Sequence, residues 1–139
     1  MVSQDVLRAK MVFLEHSLGR LRSYKDFSLS RLEKDEDAQD IVLHNLQVAI
    51  PCCVDMASHV VSDERWEIPT SMPDCFRVLA SHRVIPHPLA ERFKELAKFR
   101  NEIVHEYAHL QLGKVRTALK GLRDFDLFRK HVAKFAKLI

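Results

Sequence analysis

The chain has 139 residues, 47% of them hydrophobic, and a formal net charge of +3, which describes one globular domain and excludes an intrinsically disordered chain. Three glycines and five prolines leave few turns, so the composition favours long helices over a many-stranded sheet. The sequence contains no run of about 18 apolar residues, so no membrane span is predicted. Three cysteines without a C-x-x-C spacing are typical of a reduced, cytoplasmic protein.

The first half of the chain predicts two long helices, because its apolar residues recur in steps of three and four. The first helix should continue past Phe27 toward Leu32. The second contains Pro51, where the missing backbone N–H should produce a kink. The stripe of the first helix is Leu7, Met11, Leu14, Leu18 and Leu21, and that of the second is Leu43, Leu46, Ile50, Cys53, Ala57 and Val60.

The second half predicts a loop over residues 63–73, a short helix after Asp74, and two further long helices. One runs from Pro88, a residue suited to a first helical turn, to about Gln111, with Gly113 as its stop. The last carries Val115, Leu119, Leu122, Phe125, Val132, Phe135 and Ile139. Four long helices and a short one form an all-α, up-and-down bundle that occupies residues 1–139 as a single domain.

Arg100 occupies an unusual position on the fourth predicted helix. At about 100° per residue it falls in the middle of an apolar stripe. A guanidinium in that place must pair with an acidic residue, extend to solvent, or face something other than the core of its own chain. The stripe consists of Leu89, Phe93, Leu96, Ile103, Val104 and Tyr107.

Residues 99–109 contain two overlapping motifs in the stretch FRNEIVHEYAH. Counted from His105 it is H-E-x-x-H, which would place His105 and His109 on one face as zinc ligands, with Glu106 as general base. A catalytic zinc needs a third protein ligand, and after Glu106 only Asp124, Asp126 and His131 remain as candidates. Since no glutamate follows and no sheet is predicted, a zinc hydrolase is the weaker interpretation and no metal or cofactor is expected.

Counted from Arg100 the same stretch is Arg-x4-His-x-Tyr. Arg100 and His105 lie about 140° apart around a straight helix and about 7.5 Å apart along it, so they do not readily converge on one phosphate. Two copies of the helix related by a two-fold axis would bring both side chains into one cleft. A site built on this motif therefore predicts a homodimer.

The motif Arg100-Asn101-x-x-x-His105-x-Tyr107, late in an all-helical domain, resembles the HepT-type toxins of the HEPN superfamily. The segment LQVAIPCCVDMASHVV at 46–61 and the order of elements share this similarity. The resemblance implies a metal-independent endoribonuclease toxin in which the RNA 2′-hydroxyl attacks phosphorus. His105 would be the general acid/base, Arg100 the charge stabiliser and Asn101 an orienting residue. A cognate MNT-type nucleotidyltransferase antitoxin would attach AMP to Tyr107.

Charge is unevenly distributed: residues 107–139 hold eight Lys and Arg against two Asp and Glu, whereas residues 1–106 hold 14 against 17. Lys114, Arg116, Lys120 and Arg123 are therefore candidates to guide an RNA backbone, or else form an ordinary solvated face. A non-catalytic helical module that binds a partner remains the main alternative function. The sequence leaves open whether tRNA or mRNA is the substrate.

Overall fold

The computed structural model describes residues 2–105 and 111–139, with the side chain of His105 outside the description. These residues contain seven helices and no strand, which confirms the all-α prediction. The helices are α1 (Gln4–Arg22), α2 (Leu29–Lys34), α3 (Glu36–Asp63), α4 (Cys75–Ser81), α5 (His87–His105), α6 (Leu112–Lys120) and α7 (Leu122–Phe135).

The first predicted helix is shorter than expected, because α1 ends at Arg22 and does not continue past Phe27. Two polar caps begin new helices in this segment. The side chain of Ser28 accepts a hydrogen bond from the Arg31 amide, and that of Asp35 accepts one from the Ala38 amide. Capping side chains of this kind favour helix starts over helix interiors. The chain therefore turns before α2 and again before α3.

Helix α3 is the central element of the bundle and packs against α1, α4 and α5. It contains Pro51, as predicted. Within the described residues it is the one helix long and apolar enough to cross a membrane, but most of that apolar stretch is buried inside the protein. Helix α3 is thus explained as the core helix of a globular domain.

An aromatic cluster fixes α5 against its neighbours. Phe76 on α4, Phe93 on α5, and Phe125 and Phe128 on α7 are all fully buried. The ring centroid of Phe93 lies 5.3 Å from that of Phe76, 5.4 Å from that of Phe125 and 4.8 Å from that of Phe128. Rings at these separations add attraction to the area that they bury. The first half of α5, the helix that carries Arg100, therefore packs against α4 and α7 through the ring of Phe93.

The three cysteines are free and buried, as expected for small apolar core residues. Burial raises the pKa of the Cys53 thiol well above its ordinary value and that of Cys75 to about 12. Neither thiol is a nucleophile near neutral pH, because the thiolate is the reactive form.

The last predicted helix is divided in two. Helix α6 ends at Lys120, and the amide of Gly121 donates to the carbonyl groups of Thr117 and Ala118 before α7 begins. Gly113 does not end the preceding helix, since it lies in the first turn of α6. Gln111 itself has an extended backbone with φ −86° and ψ 111°, and the end of α5 predicted near Gln111 falls among residues 106–110, outside the described residues.

Candidate functional site

Helix α5 presents one face to the core and carries the site residues near its C-terminal end. Leu89, Phe93, Ala97 and Ile103 are at most 5% exposed. Arg100 lies on this face, three residues from both Ala97 and Ile103, and is half-buried. This position agrees with the prediction, from about 100° per residue, that Arg100 lies within the apolar stripe. Val104 was predicted to belong to the same apolar stripe, but it is 46% exposed. The prediction that Val104 is part of the buried face is therefore wrong.

The guanidinium of Arg100 has little internal pairing. Its Nε atom is buried and has no hydrogen-bond partner among the described residues. Its Nη1 atom makes one long contact, 3.5 Å to Oδ1 of Asn101. Within residues 2–105 and 111–139 it forms no salt bridge with any carboxylate. Within this part of the chain, a structural ion pair with another helix therefore does not account for the position of Arg100.

Arg100 and Asn101 open onto a groove of about 280 Å³ between α5, the middle of α3 and the loop before α4. Pro51 and Asp55 line it from α3, and Met72 lines it from the loop. The groove combines a cation, an amide and a carboxylate with apolar walls, which is the composition of a small-ligand site. Sequence reasoning missed Asp55 and Met72, because nothing in their local spacing relates them to Arg100.

The motif residues after Arg100 are described only in part. His105 is the last described residue of α5, and its side chain lies outside the description. Tyr107, Glu106 and His109 lie in the undescribed stretch 106–110. The predicted roles of His105 and Tyr107 therefore remain predictions. Helical geometry still separates Arg100 and His105 by about 140° within one straight helix.

The predicted RNA-guiding residues differ in their surroundings. The Nζ atom of Lys114 lies 2.9 Å from a carboxylate oxygen of Glu102 and links α6 to α5. Arg116 is half-buried, and its Nη1 atom has no hydrogen-bond partner among the described residues. Lys120 and Arg123 are exposed and form no ion pair within the described ranges. Their role in guiding an RNA backbone stays a prediction.

Two of the three candidate third ligands for a zinc site take part in ion pairs. The Nε atom of Arg92 lies 2.7 Å from Oδ2 of Asp124, and the Nη2 atom of Arg22 lies 3.1 Å from Oδ1 of Asp126. No group of three or more His, Cys, Asp or Glu side chains with metal-binding geometry occurs in the part of the chain described. The side chains of His105, Glu106 and His109 lie outside that part, so the zinc interpretation stays an untested prediction.

The described residues define the class as an all-α helical domain, in which the half-buried Arg100 of the Arg-x4-His motif lines an open groove. The family model described as "Ribonuclease HepT-like" matches residues 14–132. The chain therefore belongs to the ribonuclease HepT-like family.

Individual relatives agree with this membership. The chain is 32% identical over 126 residues to the mRNA nuclease HepT of Shewanella oneidensis, covering 89% of this chain and 93% of that protein. It is 20% identical over 128 residues to the tRNA nuclease HepT of Aphanizomenon flos-aquae, covering 91% and 87%.

Solved structures show the same similarity in three dimensions. The tri-AMPylated HEPN toxin of Shewanella oneidensis, solved in complex with its MNT antitoxin, superposes with a TM-score of 0.85 at 28% identity, covering 95% of this chain and 99% of that one. A toxin–antitoxin structure with AMP-PNP gives a TM-score of 0.87 at 29% identity, covering 94% and 99%.

Proposed function

We propose that this protein is a metal-independent endoribonuclease and the toxin of a toxin–antitoxin pair. Its family and the names of its relatives, an mRNA nuclease and a tRNA nuclease, support RNA as the substrate. The observation that carries the proposal is the state of Arg100. Its guanidinium lies beside an open groove, with a buried Nε atom that lacks a partner and no carboxylate bound to it among the described residues. A guanidinium in this state can bind an external anion, such as a phosphate, through charge-assisted hydrogen bonds.

The chemistry follows from the residue types. The 2′-hydroxyl oxygen attacks the adjacent phosphorus while the bond from phosphorus to the 5′-oxygen breaks, leaving a 2′,3′-cyclic phosphate and a 5′-hydroxyl. His105 moves the proton, because an imidazole titrates near neutral pH. Arg100 stabilises the additional negative charge of the phosphorane. Asn101 orients Arg100 through its Oδ1 atom. No step requires a metal ion.

The active unit in this proposal is a homodimer. One α5 helix cannot easily direct Arg100 and His105 at the same phosphate, because the two residues lie about 140° apart around its axis. A two-fold axis beside α5 places the arginine of one protomer opposite the histidine of the other. The exposed side chain of Val104, between the two residues, is apolar surface that such a contact would cover.

Neutralisation is proposed to occur at Tyr107 in the cytoplasm, where a cognate MNT nucleotidyltransferase would transfer AMP from ATP to the phenol oxygen and release pyrophosphate. The similarity to a tri-AMPylated toxin in complex with an MNT antitoxin supports this partner. Each AMP adds a negative phosphate beside the cleft, which repels RNA and competes for Arg100. Intact-protein mass spectrometry after co-expression should show added AMP that is lost or reduced in Tyr107→Phe. An unmodified wild-type toxin would contradict this mode of control.

The nuclease proposal is tested by incubating the pure protein with total RNA in EDTA. Wild type should cleave, whereas His105→Ala and Arg100→Ala should each lose about 100-fold or more in rate. His87→Ala and Arg8→Ala are matched controls, since both residues are exposed and outside the motif, and they should cleave as wild type does.

The alternatives predict different results in the same experiment. Absence of cleavage by every protein would support a non-catalytic helical module that binds a partner. Cleavage that EDTA abolishes and zinc restores would support the H-E-x-x-H hydrolase, for which Glu106→Gln should be inactive.

A further inference from the structure

The groove beside Arg100 has a second polar wall that the proposed reaction does not use. Asp55, on α3, lines it together with Arg100 and Asn101 on α5. Pro51 and Met72 contribute apolar surface, and Met72 is 56% exposed although it is hydrophobic. A volume of about 280 Å³ is near the lower end for small-ligand pockets, about 300 Å³. The groove has room for one flat ring rather than for a folded peptide.

Asp55 is held in place and electrically balanced by Lys10. The Nζ atom of Lys10 donates a hydrogen bond of 3.0 Å to Oδ2 of Asp55. The Oδ1 atom accepts no hydrogen bond within the described part of the chain. The hydrogen bond that Lys10 donates to Asp55 raises the pKa of Lys10 further above neutrality, and the ammonium is therefore charged at neutral pH. A solitary carboxylate would repel RNA, but this pair carries no net charge and retains one free acceptor oxygen.

A free carboxylate oxygen distinguishes nucleobases by their hydrogen-bonding groups. Carboxylates accept hydrogen bonds and cannot donate them. Guanine, adenine and cytosine carry amino groups that donate, and acidic side chains bind such groups. Uracil offers one N–H that lies between two carbonyl oxygens. A carboxylate repels these two oxygens. Bases of single-stranded RNA are recognised on these edges once they are unstacked.

We propose that this groove receives the nucleobase next to the scissile phosphate, and that Asp55 selects a base with an amino group over uracil. Arg100 and Asn101 hold the phosphate at one wall, while Asp55 meets the edge of the base at the other. Pro51 and the thioether of Met72 cover its faces, as apolar side chains and sulfur do for aromatic rings. The inference rests on the proposed function, because Arg100 defines where the phosphate lies.

Binding of uncleavable RNA tests this subsite independently of catalysis. Fluorescently labelled 2′-O-methyl hexanucleotides cannot undergo attack by the 2′-oxygen. Four are compared at one fixed salt concentration: all-uridine, and uridine with adenosine, cytidine or guanosine at one position, which is moved along the oligonucleotide. Wild type should bind the best-placed amino base on the order of tenfold more tightly than uridine.

The diagnostic variant is Asp55→Asn, because an amide both donates and accepts hydrogen bonds and accommodates uracil. The ratio of affinities for amino bases and uridine should fall to about one, even if the freed charge of Lys10 strengthens binding to every RNA. Asp37→Asn is the matched control: it makes the same change at an exposed residue of α3, about 27 Å away along the helix axis, and should retain the ratio.

The outcomes separate the subsite from the nuclease proposal. Equal binding of all four oligonucleotides by wild type, or a preference that Asp55→Asn leaves unchanged, would overturn the subsite. Cleavage of the matching 2′-hydroxyl oligonucleotides is measured in parallel. A base preference lost only in Asp55→Asn, without cleavage by any protein, would retain the subsite and reject the nuclease.

Discussion

Replacement of Arg100 by alanine should separate catalysis from folding. A half-buried arginine can stabilise a fold through ion pairs, but the described residues provide none for Arg100, and its Nε atom is buried without a partner among them. Removing the guanidinium should therefore abolish RNA cleavage while leaving the bundle almost as stable as before.

The size of the stability effect follows from two opposing contributions. Truncation removes packing of one or two methylene groups, at about 0.8 kcal/mol for each when fully buried. It also removes the desolvation cost of an unpaired polar group, about 1–3 kcal/mol. The net change in the free energy of unfolding should lie within about 1 kcal/mol. For a chain of this length the entropy of unfolding is roughly 0.3 kcal/mol/K, so Tm should shift by about 3–4 °C at most.

Phe93→Ala provides the comparison on the same helix. Phe93 is fully buried, with 0% of its surface accessible, and its ring contacts three other phenylalanines. Its truncation should cost about 3–5 kcal/mol, or roughly 10–17 °C in Tm. Below its Tm this variant should still cleave RNA, because the groove and Arg100 are unchanged.

The assay combines differential scanning calorimetry with single-turnover cleavage in EDTA. Arg100→Ala should lose about 100- to 1,000-fold in rate, and Arg100→Lys should recover part of this loss, because it restores the charge without the fork of donors. A fall in Tm as large as that of Phe93→Ala would show that Arg100 is structural. Cleavage by Arg100→Ala within tenfold of wild type would refute its catalytic role.

Three further predictions concern Asp74, which precedes α4, the basic residues Lys120 and Arg123, and the dimer. A hydrogen bond from Arg77 is the main cause of the depressed pKa of Asp74. Asp74→Asn should therefore lower the urea midpoint at pH 7, and its difference from wild type should shrink as pH falls below about 4, where the stabilisation by the carboxylate is lost; a difference that does not change with pH would contradict this. Replacing Lys120 and Arg123 together by alanine should reduce the salt slope of RNA binding by about 1.4 with kcat unchanged, whereas an unchanged slope would exclude phosphate contacts. Mixing the two inactive catalytic variants should restore about a quarter of wild-type activity through heterodimers, and no recovery would place both groups on one protomer.

The apolar pattern predicted the core well and the chain breaks poorly. Leu32 is fully buried and Phe27 is 8% exposed, so the apolar residues continue beyond the end of α1 and hide the turn. Ser28 and Asp35 were the local signals for new helix starts. In the last helix the stripe likewise continues across Gly121, because both halves pack on the same core.

The site was predictable only where it lies on one helix. The position of Arg100 on the buried face of α5 follows from helical periodicity. The opposite wall of the groove comes from α3 and from the loop that carries Met72. The pairing of Asp55 with Lys10 joins residues 45 positions apart, and no local spacing predicts such a contact. Tertiary packing, rather than sequence pattern, therefore determines what faces Arg100.

The chemical identity of the new 3′ end tests the central proposal most directly. An oligoribonucleotide with one cut site is cleaved in EDTA, and the 5′ fragment is analysed by mass spectrometry. Attack by the RNA's own 2′-hydroxyl, assisted by His105 and Arg100, predicts a 2′,3′-cyclic phosphate on that fragment and no cut when the same nucleotide carries 2′-deoxyribose. A fragment that ends in a free 3′-hydroxyl, or cleavage that survives the 2′-deoxy substitution, would contradict this mechanism.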